Sequence, residues 1–179
     1  MGVYFASDTH FGHKNIVKLG DGFRPGSCSE EHDEILIQKW NAKVPKKRSI
    51  VFLLGDIAMS KEALQHVGRL NREIRLILGN HDDLWAGADL PSNVKPMPVS
   101  LQHYKRAWLS HCPIHPVEMR NKLCNIHGHV HNKTLADLSY LNVCMEALPG
   151  FAPMALEEMW EIMLRRGIDM RPEKLKGLQ

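Results

Sequence analysis

Residues 49–56 read Ser-Ile-Val-Phe-Leu-Leu-Gly-Asp, an apolar run closed by a glycine and a carboxylate. A run without polar alternation fits a strand buried on both faces, as parallel sheets require. Toward the N-terminus, Val3–Ser7 is a similar run that stops at Asp8. Toward the C-terminus, Ile74–Leu78 stops at Gly79-Asn80-His81. Between these runs the spacing predicts helices over Ser29–Val44 and Ser60–Leu70, with Ser29 and Ser60 as N-caps and glutamates near each start. Strand and helix alternating over residues 1–80 predict a parallel sheet covered on both faces.

The second half reads differently. Val94–Val99, Ala107–Ser110, Leu123–Ile126 and Ser139–Val143 look like strands with few helices between them, so a second, more mixed sheet is expected. Ala155–Arg166 reads as an amphipathic helix, and the charged stretch Arg171–Gln179 as a frayed end. The 179 residues contain no repeat or linker, and one domain over 1–179 is expected, with a core of about 1–166 and a tail of 167–179.

Composition narrows the function classes. A net charge of +3 with neutral His is too small to argue for nucleic-acid binding. No stretch approaches the roughly 18 apolar residues of a membrane span, and the N-terminal residues lack the layout of a signal peptide, so a cytoplasmic protein is expected. Cys28, Cys112, Cys124 and Cys144 form no C-x-x-C pair and read as buried small hydrophobes in a reducing compartment.

The chemistry lies where the strands stop. Asp8-x-His10, Gly55-Asp56, Gly79-Asn80-His81-Asp82, His111 and Gly128-His129-Val130-His131 each follow an apolar run. On a strand, positions i and i+2 face the same way, so Asp8 and His10 can share a metal if strand geometry persists through Thr9. His129 and His131 repeat that spacing. Asp56 can bridge two ions through its two carboxylate oxygens, Asn80 offers a neutral oxygen, and His111 another imidazole. Such mixed donors favour Mn, Fe, Zn or Ni over Ca or Mg. Two such ions acidify a bridging water, orient a phosphoryl oxygen and neutralise charge. His81, one residue past a ligand, is placed as the general acid.

With these blocks in this order over residues 8–131, the chain resembles the calcineurin-like metallophosphoesterase superfamily. The strings DTHFGHKNI, LLGDIA, LILGNHD, LSHCPIHP and NIHGHVHN look like a small branch without a cap domain. The resemblance implies an αββα sandwich of two mixed sheets flanked by helices, with a binuclear centre. It implies that Asp8, His10, Asp56 and His131 hold one ion, that Asp56, Asn80, His111 and His129 hold the other, and that His81 protonates the leaving group. One position departs. The protein-phosphatase branch continues GDxVDRG, whereas Met59 stands here where the second Asp would be. Phosphoprotein substrates are therefore not expected, and His81 needs another orienting partner, with Asp82 and Asp83 nearest in sequence.

The remaining polar residues carry weaker expectations. His13 and Asn15 could contact a substrate phosphate from a helix N-terminus. His127 should face away from the ligands or support them from behind, and His115 should lie on the rim. His32, His66 and His103 read as surface residues, Arg24 as an anion contact, and Lys46-Lys47-Arg48 as a solvated turn. The expected activity is hydrolysis of a phosphodiester, or also a phosphomonoester, in a small or nucleotide-like substrate through a hydroxide bridging two divalent transition-metal ions. A nuclease acting on DNA or RNA and a non-catalytic interaction scaffold are the alternatives. Metal identity and oligomeric state stay open at this level.

Overall fold

The computed structural model describes residues 1–19, 23–45 and 48–172, with helices α1 (Ile16–Leu19), α2 (Ser29–Lys43), α3 (Leu64–Gly68) and α4 (Leu156–Arg165). β1 (Gly2–Ala6), β2 (Ser49–Leu53), β3 (Glu73–Leu76) and β4 (Val94–Pro96) are parallel neighbours in the order β4-β3-β2-β1. A second sheet runs β5 (Leu101–Tyr104), β6 (Ala107–Ser110), β7 (Cys124–His127) and β8 (Tyr140–Asn142), with only the β5–β6 pair antiparallel. β9 (Met154–Ala155) closes the first sheet antiparallel to β1. The result is two mixed sheets flanked by helices, the class expected.

Parallel register puts paired residues on the same face, and here that sorts the core. Phe5 pairs with Phe52, their rings stack at 5.7 Å, and Tyr104 of β5 meets both. This aromatic cluster joins the two sheets. The other face of the first sheet carries Val51, Leu53, Ile74 and Leu76, all fully buried. They belong to one apolar cluster with Leu36, Ile37 and Trp40 of α2 (Ser29–Lys43), whose indole also donates to the Asn71 carbonyl at 3.2 Å.

The crossover through Pro116–Met119 is bonded to the outer face of the second sheet. Trp108 Nε1 donates to Met119 O, Tyr140 Oη donates to Ile114 O, and Asn125 Oδ1 accepts from Ile114 N. α4 (Leu156–Arg165) packs on β1 and β9, and its Met163 meets Cys124 of β7.

Several boundaries differ from the sequence reading. Cys28, not Ser29, holds the N-cap position of α2. The helix expected over Ser60–Leu70 shrinks to Leu64–Gly68, and Ser60 Oγ caps the turn before it by accepting from Ala63 N. β4 stops after three residues at Pro96, with Pro98 following, since prolines supply no ladder donor. β5 and β9 were not anticipated: the first is half-buried and polar, the second only two residues long. Met170 is buried in the core, which therefore passes residue 166, and Arg171 pairs with Asp169 at 2.9 Å. Residues 173–179 of the expected tail lie outside the described residues, as do Lys46 and Lys47. Among the described residues, no helix is long and apolar enough to cross a membrane.

Replacing Trp40 by Ala removes a side chain that is 1% exposed and should cost about 3–5 kcal/mol of unfolding free energy in a urea titration. A loss below about 1 kcal/mol would contradict the packing described.

Candidate metal centre

The polar groups converge because the loops leave the parallel strands at the same ends of both sheets, where sites form in open α/β folds. β1 leads to Asp8 and His10, β2 to Asp56, β3 to Asn80, β6 to His111, and β7 to His129 and His131. A parallel bridge between Ser7 and Cys144 ties the two sheets together at this edge.

The backbone gets there by leaving strand geometry. Asp8, His10, Asp56, His129 and His131 all have positive φ, between 49° and 70°. The i, i+2 strand argument for Asp8/His10 and His129/His131 is therefore corrected: β1 ends at Ala6 and β7 at His127, and left-handed residues turn the side chains inward. Such conformations cost about 1–3 kcal/mol each and persist only when surrounding contacts enforce them. Here the enforcing bonds are Asp8 N to Gly55 O (3.0 Å), His10 N to Asp56 O (3.0 Å) and Gly128 N to His111 O (2.8 Å). Two glycines are steric requirements. A Cβ on Gly128 would lie 2.0 Å from Ser7 Oγ, and one on Gly79 would lie 2.2 Å from Asp56 Oδ1.

Two groups of donors result. Asp8 Oδ1 lies 3.6 Å from His10 Nε2, which lies 3.9 Å from Asp56 Oδ2, and the His131 ring stacks on His10 at 5.2 Å. His111 Nε2 lies 3.4 Å from the same Asp56 Oδ2 and 2.9 Å from Asn80 Oδ1, and His129 Nδ1 is 2.9 Å from that Asn80 oxygen. One oxygen of Asp56 faces both groups. Its other oxygen accepts from His81 N at 2.8 Å.

These separations of 2.9–3.9 Å bracket the spacing of donors around one cation. Donors about 2.1 Å from one ion stand roughly 3.0–3.4 Å apart in octahedral or tetrahedral arrangements. Asp8 Oδ1 and His10 Nε2 are buried and bond to nothing among the described residues, a costly state unless something fills the gap. Asp8 Oδ2, by contrast, accepts from His129 N at 2.9 Å and from the Cys144 thiol at 3.2 Å. Burial and then Asp8 push that thiol far up, so it stays a donor. Burial alone would raise the Asp8 carboxyl; His10, His111 and Ser7 overcome it and hold the group well below the usual carboxylate range. The groups Asp8/His10/His131, Asp8/Asp56/His111 and His111/Cys112/His129 could each hold a metal ion.

Imidazole orientation is set from behind. His111 Nδ1 donates to Leu54 O at 2.7 Å, which leaves Nε2 a lone pair facing Asn80 and Asp56. His10 Nδ1 meets Met59 Sδ at 3.4 Å, so the residue that departs from the phosphatase pattern backs this histidine. His131 Nδ1 bonds Glu146 Oε1 at 2.8 Å, and that carboxylate raises the imidazole's pKa.

Glu146 was not anticipated. Its only sequence signal is one acid inside the otherwise apolar run Val143–Leu148, where a charge implies a buried partner. That partner is Arg24, whose Nε donates to Glu146 at 2.7 Å and whose Nη2 donates to Asp8 O at 2.6 Å. Arg24 is buried, so its reading as an anion contact is corrected. His32 is fully buried rather than on the surface: Nε2 faces Arg24 Nη1 at 3.3 Å and Nδ1 bonds Asp33, which accepts from Gly12 N. His66 is half-buried, 3.8 Å from Asp33, and only His103 of those three is exposed.

The other expected residues separate. His10, His13, His81, His129, His131, Lys133 and Glu146 line an open cleft of about 530 Å³. Asn15 lies outside it in a neighbouring hollow with Met59 and Glu62. His81 is exposed, its ring 5.8 Å from His10 and hydrogen-bonded to nothing among the described residues. Asp82 does not orient it. That carboxylate is buried and accepts from Asp56 N, Ile57 N, Gly79 N and Trp85 Nε1, which clamps two loops together. Asp83 is exposed and makes no bond to the His81 imidazole. His127 faces away, bonded to Gly128 O, and His115 caps the turn at Pro116–Met119. Cys28 and Cys112 are exposed, against the expectation that all four cysteines are buried.

Replacing Glu146 by Ala should weaken binding of Mn²⁺ or Zn²⁺ about 10–100-fold in a calorimetric titration, since His131 loses the group that fixes its tautomer. Unchanged affinity would show that Glu146 serves the fold alone.

No family model matches the chain. The uncharacterized protein MJ1445 of Methanocaldococcus jannaschii is 35% identical over 144 residues, 78% of this chain and 75% of that protein. Among solved structures, the protein of unknown function AQ665 from Aquifex aeolicus aligns with a TM-score of 0.66 at 21% identity, over 90% of this chain and 98% of that one. The Pseudomonas putida nuclease MPE aligns with a TM-score of 0.50 at 20% identity, over 72% of this chain and 61% of the nuclease. At such identities these two likenesses are of fold. The identity to MJ1445 extends across most of both proteins, and the chain belongs to the family of that archaeal protein.

Proposed function

We propose that the chain is a metal-dependent phosphoesterase of the calcineurin-like kind, hydrolysing phosphodiester bonds in a small or nucleotide-like substrate. The observation that carries this reading is the single oxygen Asp56 Oδ2 facing His10 on one side and His111 on the other. In this reading Asp8, His10, Asp56 and His131 hold one divalent transition-metal ion, and Asp56, Asn80, His111 and His129 hold the second. Such a pair, when bound, supplies an acidified water and charge neutralisation at a phosphoryl group.

The rest of the chemistry falls to side chains of the cleft. The His81 imidazole is exposed and hydrogen-bonded to nothing among the described residues, so it is free to swing toward a leaving oxygen and give it a proton. Its backbone N–H on Asp56 Oδ1 fixes the root of that swing. Lys133, exposed on the cleft wall, and His13 in the same cleft offer donors to the non-bridging phosphoryl oxygens. Burial lowers the pKa of His13, with His10 adding to it. Ile16 and Val130 give the same cleft an apolar wall for a base or ring.

Nuclease activity is a second reading, favoured by the fold likeness to nuclease MPE and by the openness of the cleft to a chain end.

Protein loaded with Mn²⁺ should hydrolyse bis-p-nitrophenyl phosphate, and chelation should abolish turnover. His81→Ala should lower kcat by about 10²–10⁴-fold with metal content unchanged. Lys133→Ala should raise KM more than it lowers kcat. Full metal loading without turnover on esters or oligonucleotides would favour the interaction scaffold and end the enzymatic reading. Faster cleavage of a single-stranded oligonucleotide than of the nitrophenyl ester would favour the nuclease.

A further inference from the structure

We propose that Cys112 is a sulfur ligand to the ion held by His111 and His129, so that this position takes a thiophilic divalent metal such as zinc, cobalt or cadmium. The inference rests on the metal-centre reading above and adds a donor that reading does not contain.

Three observations support it. The Cys112 sulfur and one ring nitrogen each from His111 and His129 all lie within 4.8 Å of one another. The two rings are held together beside it, since His111 Nδ1 is held by Leu54 O and His129 Nδ1 stands 3.2 Å from His111 Nε2. The thiol itself is exposed and bonds to nothing among the described residues. The other cysteines differ: Cys124 faces the Met163 sulfur, Cys144 donates to Asp8, and Cys28 belongs to no donor group among the described residues.

The direction of approach is what makes a fifth donor useful. Cys112 lines a separate hollow of about 290 Å³ with Asn80, Ser110 and Pro113, while the cleft holding His81, His13 and Lys133 lies toward His129. A sulfur arriving from the hollow leaves the cleft side for substrate. Its backbone is held for the task, because Ser110 Oγ donates to Cys112 O at 2.7 Å and Pro113 restricts the conformation of Cys112 just before it. On binding, the S–H bond breaks, the proton leaves to solvent and the sulfur lone pair forms the bond to the metal. Nothing is oxidised or reduced. Thiolate added to imidazole and oxygen shifts preference toward zinc-class ions and away from magnesium.

The test is a Co²⁺ titration of the full chain, followed by absorption. Wild type should show visible d–d bands together with a near-ultraviolet sulfur-to-cobalt charge-transfer band. Cys112→Ser should lose the charge-transfer band and keep the d–d bands, and Cys144→Ser should keep both. In the wild type, Co²⁺ should slow iodoacetamide alkylation of Cys112 at least about tenfold, read by mass spectrometry, with Cys28 as the unprotected reference. The d–d bands without charge transfer, a charge-transfer band that survives Cys112→Ser or follows Cys144, or unprotected Cys112 would overturn the sulfur ligand. No cobalt bands of either kind would overturn the metal centre itself, and the sulfur ligand with it.

Discussion

Asp56 Oδ2 sits between His10 Nε2 at 3.9 Å and His111 Nε2 at 3.4 Å, with Asp8 Oδ1 just beyond His10. None of these separations is a good hydrogen bond, and every atom is buried. Burying carboxylates and imidazoles this way is unfavourable unless positive charge arrives to satisfy them. The rest of the molecule is a frame that enforces this arrangement. Left-handed turns aim the groups inward, glycines clear room for them, and buried ties hold the loops that carry them.

Those ties form one connected path. Asp33 holds Gly12 and His32, His32 faces Arg24, Arg24 grips the Asp8 carbonyl and Glu146, and Glu146 orients His131. A helix on the first sheet is thereby joined to a loop after the second. Asp82 performs a similar task between the loops after β2 and β3, and Asn142 holds His131 O at 2.6 Å and Lys133 O at 3.1 Å. Function and stability oppose each other at this edge. Its strained residues reduce stability, and the paired core strands such as Phe5 and Phe52 offset the loss.

The fold class was legible because residues 49–56 and their neighbours carry an unambiguous buried-strand pattern. Short elements escaped: β9 is held by pairing with β1, and β5 by pairing with β6, neither of which leaves a local signature. At the site, spacing singled out the residues that the structure gathers, yet it suggested strand geometry at Asp8 and His10 where the backbone is left-handed. Partners behind those residues could not be read. Arg24 and Glu146 lie 122 positions apart, and Asp82 looked like an orienting group for its neighbour when its bonds run to the backbone of other loops. Local sequence carries the donors; only the assembled sheets reveal what holds them.

A pair of ions sharing the Asp56 oxygen is the central claim, and electron paramagnetic resonance of the Mn²⁺-loaded protein tests it most directly. Two manganese ions per chain with the multiline spectrum of an exchange-coupled pair are expected. One ion per chain, or two with the spectrum of isolated Mn²⁺, would contradict it.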